Sequence, residues 1–361
     1  MSTRSNDIMF LLGAGASADA GIPISARMIG EIEQLLKSDP EWRPFVELYH
    51  HVKSAIFYSS GLKGTFGDGV LYNIETMVNS LYELERNEDH PLYPFIASWN
   101  SRFSFLAGPA FENVRRFRRL ILKELKKWMC PENASESDYY GGFIRIQNEL
   151  NYPLRVFSLN YDSCIDRLDS DRFRVEAGFG GHGTDHIWDW ERFEPGEASA
   201  MPPPQVYLYK IHGSIDWKRD ASQNLYRVEQ VERVEPDNME IIFGRDFKLE
   251  AADPYLFYAY EFRRYCLLSR LIVTVGYSFG DLHINKMVAQ ALRADTERRL
   301  MLVTRCEKKH LNKKRAEVAK LLSVSPNQIA PQAGSAKAFL ENNDLTRVIL
   351  DHVPKPKNPP F

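Results

Sequence analysis

Four short apolar runs, residues 8–12, 154–159, 206–211 and 271–275, each stop at a turn made of glycine or small polar residues. Runs of this length without polar alternation belong inside a parallel sheet, covered on both faces. Parallel strands need long crossovers, and helical spacing supplies the first of them: Ile29, Ile32, Leu35 and Leu36 mark one apolar face over residues 25–38. The predicted fold class is α/β, a mostly parallel sheet flanked by helices. Between the first and second strands, residues of about 41–150 read as a helical insertion. Within it, residues 73–86 form a helix capped by Asn73, and Glu75 on that helix either reaches the ligand cleft or, the preferred reading, is a solvated carboxylate. A second helix, 113–128, places Val114, Phe117, Leu120, Ile121, Leu125 and Trp128 on one side and seven arginines and lysines around the other, a solvated face. Residues 254–269 form a helix, 299–304 a final strand and 307–322 a final helix. One domain of 1–350 is expected, followed by a flexible tail, 351–361.

Ligands of open α/β sheets bind at the carboxyl ends of the strands, so the closing turns carry the chemistry. Gly13-Ala14-Gly15-Ala16-Ser17 lies between strand and helix, the order a phosphate site requires. Glycine permits close backbone approach, and amides near a helix N-terminus can receive a pyrophosphate. Small residues here are equally compatible with a plain tight turn, and Gly-x-Gly-x-x-Ala lacks the third glycine of the dinucleotide fingerprint. Asn160 and Asp162 close the second strand, either as ligand groups or as a turn and the cap of a helix over 163–168. His212, followed by Gly213-Ser214, is either a hydrogen-bonded core histidine or a base facing a cleft. Gly276-Tyr277-Ser278 closes the fourth strand, and Asp281 caps the helix beginning at Leu282, with Asn285 on its first turn.

Taken in order, these segments resemble the sirtuin-like (silent information regulator type) family. Gly13 to Ser17 with Gly21-Ile22-Pro23 is similar to that family's first nucleotide loop, Asn160-Tyr161-Asp162 to its Asn-x-Asp motif, and His212-Gly213 to its catalytic pair. Gly276-Tyr277-Ser278 with Asp281 and Ile284-Asn285 resembles the late Gly-x-Ser segment in the form of the bacterial branch. The resemblance runs from residue 8 to about residue 305. It implies a Rossmann-like fold with an NAD site formed by Gly13, Ala14, Gly15, Ser17, Gly21, Pro23, Gly213, Ser214, Gly276, Ser278 and Asn285. Asn160 would lie near the nicotinamide ribose and His212 would act as base, the two converging on one sugar. Asp162 would stabilise developing positive charge or merely cap a helix.

Departures from the deacylase pattern redirect the expected chemistry. Deacylases of the family carry two Cys-x-x-Cys pairs after the His-Gly motif, whereas Cys130, Cys164, Cys266 and Cys306 are far apart, so no zinc ribbon and no metal are expected. Their Asp-Phe-Arg after Gly-Ile-Pro is replaced by Ile24-Ser25-Ala26. The resemblance is closer to bacterial NAD-depleting antiphage-defence proteins, and it implies hydrolysis of NAD, as substrate, to nicotinamide and ADP-ribose. The pyridinium is a good leaving group, which removes the need for the acidic carboxyl of ordinary glycosidases. A protein deacylase or ADP-ribosyltransferase, and a non-catalytic NAD or ADP-ribose module, are the alternatives.

About forty residues follow the last expected core helix, too few for a fused sensor domain. Control is therefore expected in trans or by self-assembly, and the resemblance implies a homo-oligomer with a regulatory partner such as a HerA-like ATPase, or a short Argonaute protein. A net charge of −2 over 361 residues gives no reason for nucleic acid as an obligatory ligand. No apolar run approaches the roughly 18 residues of a membrane span, and the polar N-terminus has no signal pattern, so a cytoplasmic protein with reduced thiols is expected. The stretch 178–204, with His182, Asp185, His186, Asp189, Trp188 and Trp190, reads as a lid or subunit contact rather than a metal site.

Overall fold

Leu12 pairs with both Ser158 and Val275, and Ser158 pairs with Lys210, so four strands end level with one another. The structure, a computed structural model, describes residues 5–70, 72–86, 101–131, 133–180, 185–194, 203–243 and 253–355. Its main sheet contains β1 (Ile8–Leu12), β2 (Leu154–Ser158), β3 (Val175–Glu176), β4 (Val206–Lys210), β5 (Leu271–Val275), β6 (Arg299–Thr304) and β7 (Ile329–Ala333). The order is β7-β6-β5-β1-β2-β4-β3, and every pairing is parallel. All residues of β1, β4 and β5 are buried, as a sheet covered by helices on both faces demands. The chain builds outward from β1 on one side through β2 to β4 and then crosses to start again at β5 on the other. The switch point therefore lies between β1 and β5, where doubly wound sheets open a crevice.

Helices α1 (Ser25–Ser38), α2 (Val46–Leu62), α3 (Ile74–Arg86), α4 (Glu112–Trp128), α5 (Gly142–Leu150), α6 (Tyr255–Leu268), α7 (Leu282–Ala294) and α8 (Leu311–Leu322) carry the remaining bulk. The insertion has its own apolar seam. Phe117 of α4 stacks on Phe45 and meets Trp42 and Tyr49 edge-on, while α3 buries Ile74, Met77, Val78 and Leu81.

Four expectations are corrected here. The cationic side of α4 is no purely solvated face: Arg118 is buried, pairs with Glu85 at 2.7 Å and Asp237 at 3.2 Å, and stacks on Tyr82. Lys126 donates to the Val234 carbonyl at 2.6 Å, so this face clamps the 231–238 segment. In place of a helix over 163–168 there is only a short 3-10 turn, Asp166–Leu168. β6 is not the last strand, since β7 and two short helices, Ala336–Leu340 and Leu345–Leu350, follow. β7 reads IAPQA and is mostly half-buried, an edge strand that tolerates Pro331 and shows no apolar run. Finally, parts of 178–204 form strands, 179–180 and 185–188, of a four-stranded antiparallel sheet with 217–219 and 225–228. Trp188 packs among Phe179, Phe193 and Tyr258 instead of covering a cleft. His182 and residues 356–361 of the expected tail lie outside the described residues.

Candidate functional site

A cavity of about 330 Å³ opens at the switch point. Gly13 and Ala14 reach it from the turn after β1, Ser25 from the start of α1, and Asn73, Glu75 and Thr76 from the start of α3. Leu159 and His212 come from the tips of β2 and β4, and Tyr277, Ser278, Gly280, Asp281, Leu282 and His283 from the segment after β5. Its volume falls at the low end of the range for ligand pockets.

The centre of its chemistry is a hydrogen-bonded imidazole–carboxylate pair spanning the sheet. His212 Nε2 is 3.0 Å from Asp281 Oδ2, both side chains being nearly buried. Between the β5 and β4 tips lie three strand spacings, roughly 14 Å, which the 276–281 segment crosses. The same carboxylate caps α7, its Oδ1 accepting the amides of His283 and Ile284. Burial by itself would raise the Asp281 carboxyl, but the His212 hydrogen bond and charge together with these amides hold it below the ordinary carboxylate value. With Nε2–H donating to a carboxylate, Nδ1 is the ring nitrogen with an acceptor lone pair.

Asn285 is a strut for this segment and does not line the cavity. Its Nδ2 donates to the Phe279 carbonyl at 2.7 Å and its Oδ1 accepts the Tyr277 hydroxyl at 2.8 Å. Phe279 is held at φ 63°, a left-handed conformation costing about 1 kcal/mol or more for a side chain of this size. The strut offsets that strain and keeps Asp281 over the cavity.

The glycines have a structural cause that the sequence did not reveal. Gly13 and Gly15 donate to the carbonyls of Val275 and Gly276 at 3.0 and 2.9 Å, so the turns after β1 and β5 lie backbone on backbone. A Cβ on Gly13 would stand 2.7 Å from Tyr277 Cα, and one on Gly276, at φ +64°, only 2.1 Å from the Ala16 nitrogen. The amides of Ala16 and Ser17 also donate to backbone carbonyls, so four of the five amides in this turn are already engaged. An anion finds open donors instead at the start of α1, where Ile24 in the capping position offers no side-chain acceptor and Ser25 faces the cavity. Gly21, at φ +81°, and buried Pro23 lead the chain into that helix.

Asn160 and His212 emerge from neighbouring strands, each two residues beyond the paired Ser158 and Lys210. Their side chains part there. Asn160 is buried outside the cavity wall, its Nδ2 donating to Ser17 Oγ at 3.0 Å while that hydroxyl sits 2.9 Å from the Tyr140 hydroxyl. Asn160 Oδ1 has no hydrogen-bond partner among the described residues. Asp162 takes the turn role: its Oδ1 accepts the Cys164 amide at 3.0 Å, and it is absent from the lining. Ser214 is fully buried and receives Lys210 Nζ at 2.6 Å, the same ammonium reaching the Asp162 carbonyl at 2.6 Å and Asp166 at 3.4 Å. Gly213, at φ +79°, lies under Glu240, whose carbonyl oxygen an added Cβ would meet at 2.0 Å. Of the residues expected to touch ligand, Gly13, Ala14, His212 and Ser278 thus line the cavity; the others build or brace it.

Glu75 is the main residue that sequence reasoning set aside. It was expected in solvent and instead stands half-buried in the cavity wall, the second residue of α3 after an Asn73 cap that receives the Thr76 amide at 2.8 Å. Burial pushes its carboxyl up, His212 draws it down, and Asp281 pushes it up again. No local signal distinguishes it from the other helix carboxylates. Asp281 was visible as a cap but not as the partner of His212.

Residues 154–325, a little under half of the chain, match the family model described as a SIR2-like domain. That stretch contains Asn160, His212, Gly276 and Asp281. No curated protein sequence matches the chain. Among solved structures, a Sir2 homologue in complex with NAD is 12% identical with a TM-score of 0.44, the alignment covering 96% of this chain and 90% of that one. A substituted Sir2 homologue bound to 2'-O-acetyl ADP-ribose is 13% identical with a TM-score of 0.43, covering 96% and 92%. Another, bound to ADP-ribose, is 12% identical with a TM-score of 0.44, covering 95% and 92%. Likenesses this distant say nothing about what the present chain binds.

Proposed function

We propose that this chain is an NAD-utilising enzyme that hydrolyses NAD to nicotinamide and ADP-ribose. The observation that carries the proposal is the His212–Asp281 pair inside a cavity at the switch point, within the stretch that matches a SIR2-like domain. The pyrophosphate lies toward the uncapped start of α1 and the ribose toward His212. The glycosidic bond breaks with its electron pair going to the pyridinium nitrogen, which becomes neutral nicotinamide. Positive charge passes to the sugar carbon, water adds through oxygen, and its proton goes to His212, whose new charge Asp281 balances. Asn160 stands behind the cavity wall, its Nδ2 on Ser17 Oγ, and braces the turn after β1 from which Gly13 and Ala14 reach the cavity.

The test is to mix the purified full chain with NAD and separate the products by chromatography. Nicotinamide and ADP-ribose are expected, and His212→Ala and Asn160→Ala are expected to abolish their release while remaining folded. Acylated peptide in a parallel sample distinguishes acyl transfer, which would yield an acyl-ADP-ribose product. Binding of NAD without turnover would leave only a binding module. For the cell we propose an NAD-depleting effector in antiphage defence, a homo-oligomer held by a partner in trans such as a HerA-like ATPase. Sizing the purified chain with and without that partner, alongside NAD turnover, tests this role.

A further inference from the structure

The cavity wall contains two carboxylates, Glu75 and Asp281, two imidazoles, His212 and His283, and no lysine or arginine among the described residues. Asp281 is satisfied by His212 and two backbone amides. Glu75 differs, with no hydrogen bond or ion pair to a described residue. A half-buried carboxylate that the protein leaves without an ion-pair partner is a poor device for stability, since the attraction of His212 does not offset the cost of desolvating it. It is well suited to meet a cation brought by a ligand.

The geometry points to Glu75 as a further catalytic residue of this cavity, the carboxylate that opposes the positive charge of the nicotinamide-ribosyl unit, first on the ring and then on the sugar carbon. This rests on the hydrolase proposal above. As the bond breaks, the ring nitrogen keeps the electron pair and loses its charge, while the sugar carbon and ring oxygen share the charge left behind. Water then adds and gives its proton to His212. Glu75 stays ionised throughout and forms no bond. The charge-stabilising role that the sequence left open for Asp162 falls to the inserted helix, because the Asp162 carboxylate is engaged in its own turn.

The groups that face Glu75 set its titration. His212 favours its ionised form; Asp281 disfavours it; Tyr161 and Tyr277 lie within electrostatic range, His283 lines the same wall, and Asn73 and Thr76 flank it on its own helix. A cationic substrate adds a further pull toward ionisation.

Two measurements test the assignment. In the first, nicotinamide release is followed against pH in wild type, Glu75→Gln and Glu75→Asp. Glu75→Gln is expected to lower kcat by about 100-fold or more, and Glu75→Asp to recover part of the loss. On the acid side, wild type is expected to lose kcat/KM with one proton more than Glu75→Gln does; a merely structural carboxylate would leave that slope unchanged. In the second, oxidised and reduced NAD are titrated calorimetrically into His212→Ala and into His212→Ala with Glu75→Gln. The first is expected to favour the cationic, oxidised form by about tenfold, and the second to lose that preference.

Wild-type turnover with Glu75→Gln unchanged within about threefold and no change in acid slope would overturn the role of Glu75 and leave the hydrolase proposal standing. A Glu75-dependent charge preference without turnover in wild type would overturn the hydrolase proposal and reduce Glu75 from a catalytic residue to one that binds the cationic ring. Neither turnover nor preference would end both.

Discussion

One carboxylate serves two masters: Asp281 Oδ2 lies 3.0 Å from His212 Nε2, while its Oδ1 accepts the His283 and Ile284 amides at 2.8 and 3.0 Å. Orientation of the imidazole is therefore tied to the start of α7.

Substitution separates the two duties. Asp281→Asn retains a competent cap, since Asn and Asp are comparable there, but removes the charge that balances a protonated imidazole. Nicotinamide release should fall by about 10²–10⁴ with the thermal midpoint little changed. Asp281→Ala should lose the same activity and a further ~1 kcal/mol of stability. Release kinetics and urea unfolding on both variants check this; equal stability of the two would contradict the capping role.

Stability should depend on pH with opposite signs at the two carboxyls. Asp281 is held below its ordinary 3.8, so its contribution is present above that value and is lost as pH falls through the lower folded value. Glu75 is raised above its ordinary 4.5, so its contribution is complete below that value and is lost as pH rises through the higher folded value. Glu75→Gln should therefore be more stable than wild type at pH 7, the difference vanishing toward about pH 4. Urea midpoints between these pH values decide it; a gap that widens toward acid would show the sign to be wrong.

The paired turns predict contrasting glycine substitutions. Gly276→Ala combines φ +64° with an atom 2.1 Å from the Ala16 nitrogen, and should cost about 1–3 kcal/mol or more while dislodging Asp281 and suppressing activity. Gly30→Ala, inside α1 with nothing within 4 Å of the new atom, should instead stabilise by about 0.4–1 kcal/mol. Thermal midpoints of the pair are the measurement.

Lys210 anchors the floor beneath the tips of β2 and β4. It is 1% exposed and its ammonium joins the Asp162 carbonyl, Ser214 and Asp166. Lys210→Met should cost about 3 kcal/mol, near the low end for a broken buried pair, because Arg227 remains 3.6 Å from Asp166. Denaturant unfolding checks the magnitude, and a loss under ~1 kcal/mol would mean the ammonium carries little of the floor.

Much of the frame was legible in the chain. β1 and β5 follow from apolar runs with no polar alternation, and the Asp281 cap follows from a small acidic residue ahead of a helical period. β7 was not legible, because an edge strand with Pro331 needs no continuous apolar pattern. Arg118 was misread for a related reason: helical spacing separates apolar from charged positions, but does not show that Glu85 and Asp237 will cover a charged one.

Periodicity and turn chemistry act over a few residues, so the chain alone determined that level parallel strands would present Gly13, Asn160, His212 and Gly276 at one edge. Which side chains then meet depends on strand order, on the reach of the loops and on an inserted helix packed by non-directional apolar contacts. Only the tertiary structure could seat Asp281 and Glu75 beside His212, turn Asn160 toward Ser17, and press two glycine turns together, because those partners are separated by up to 262 residues (Gly13 to Val275) and no local pattern encodes the distance between them.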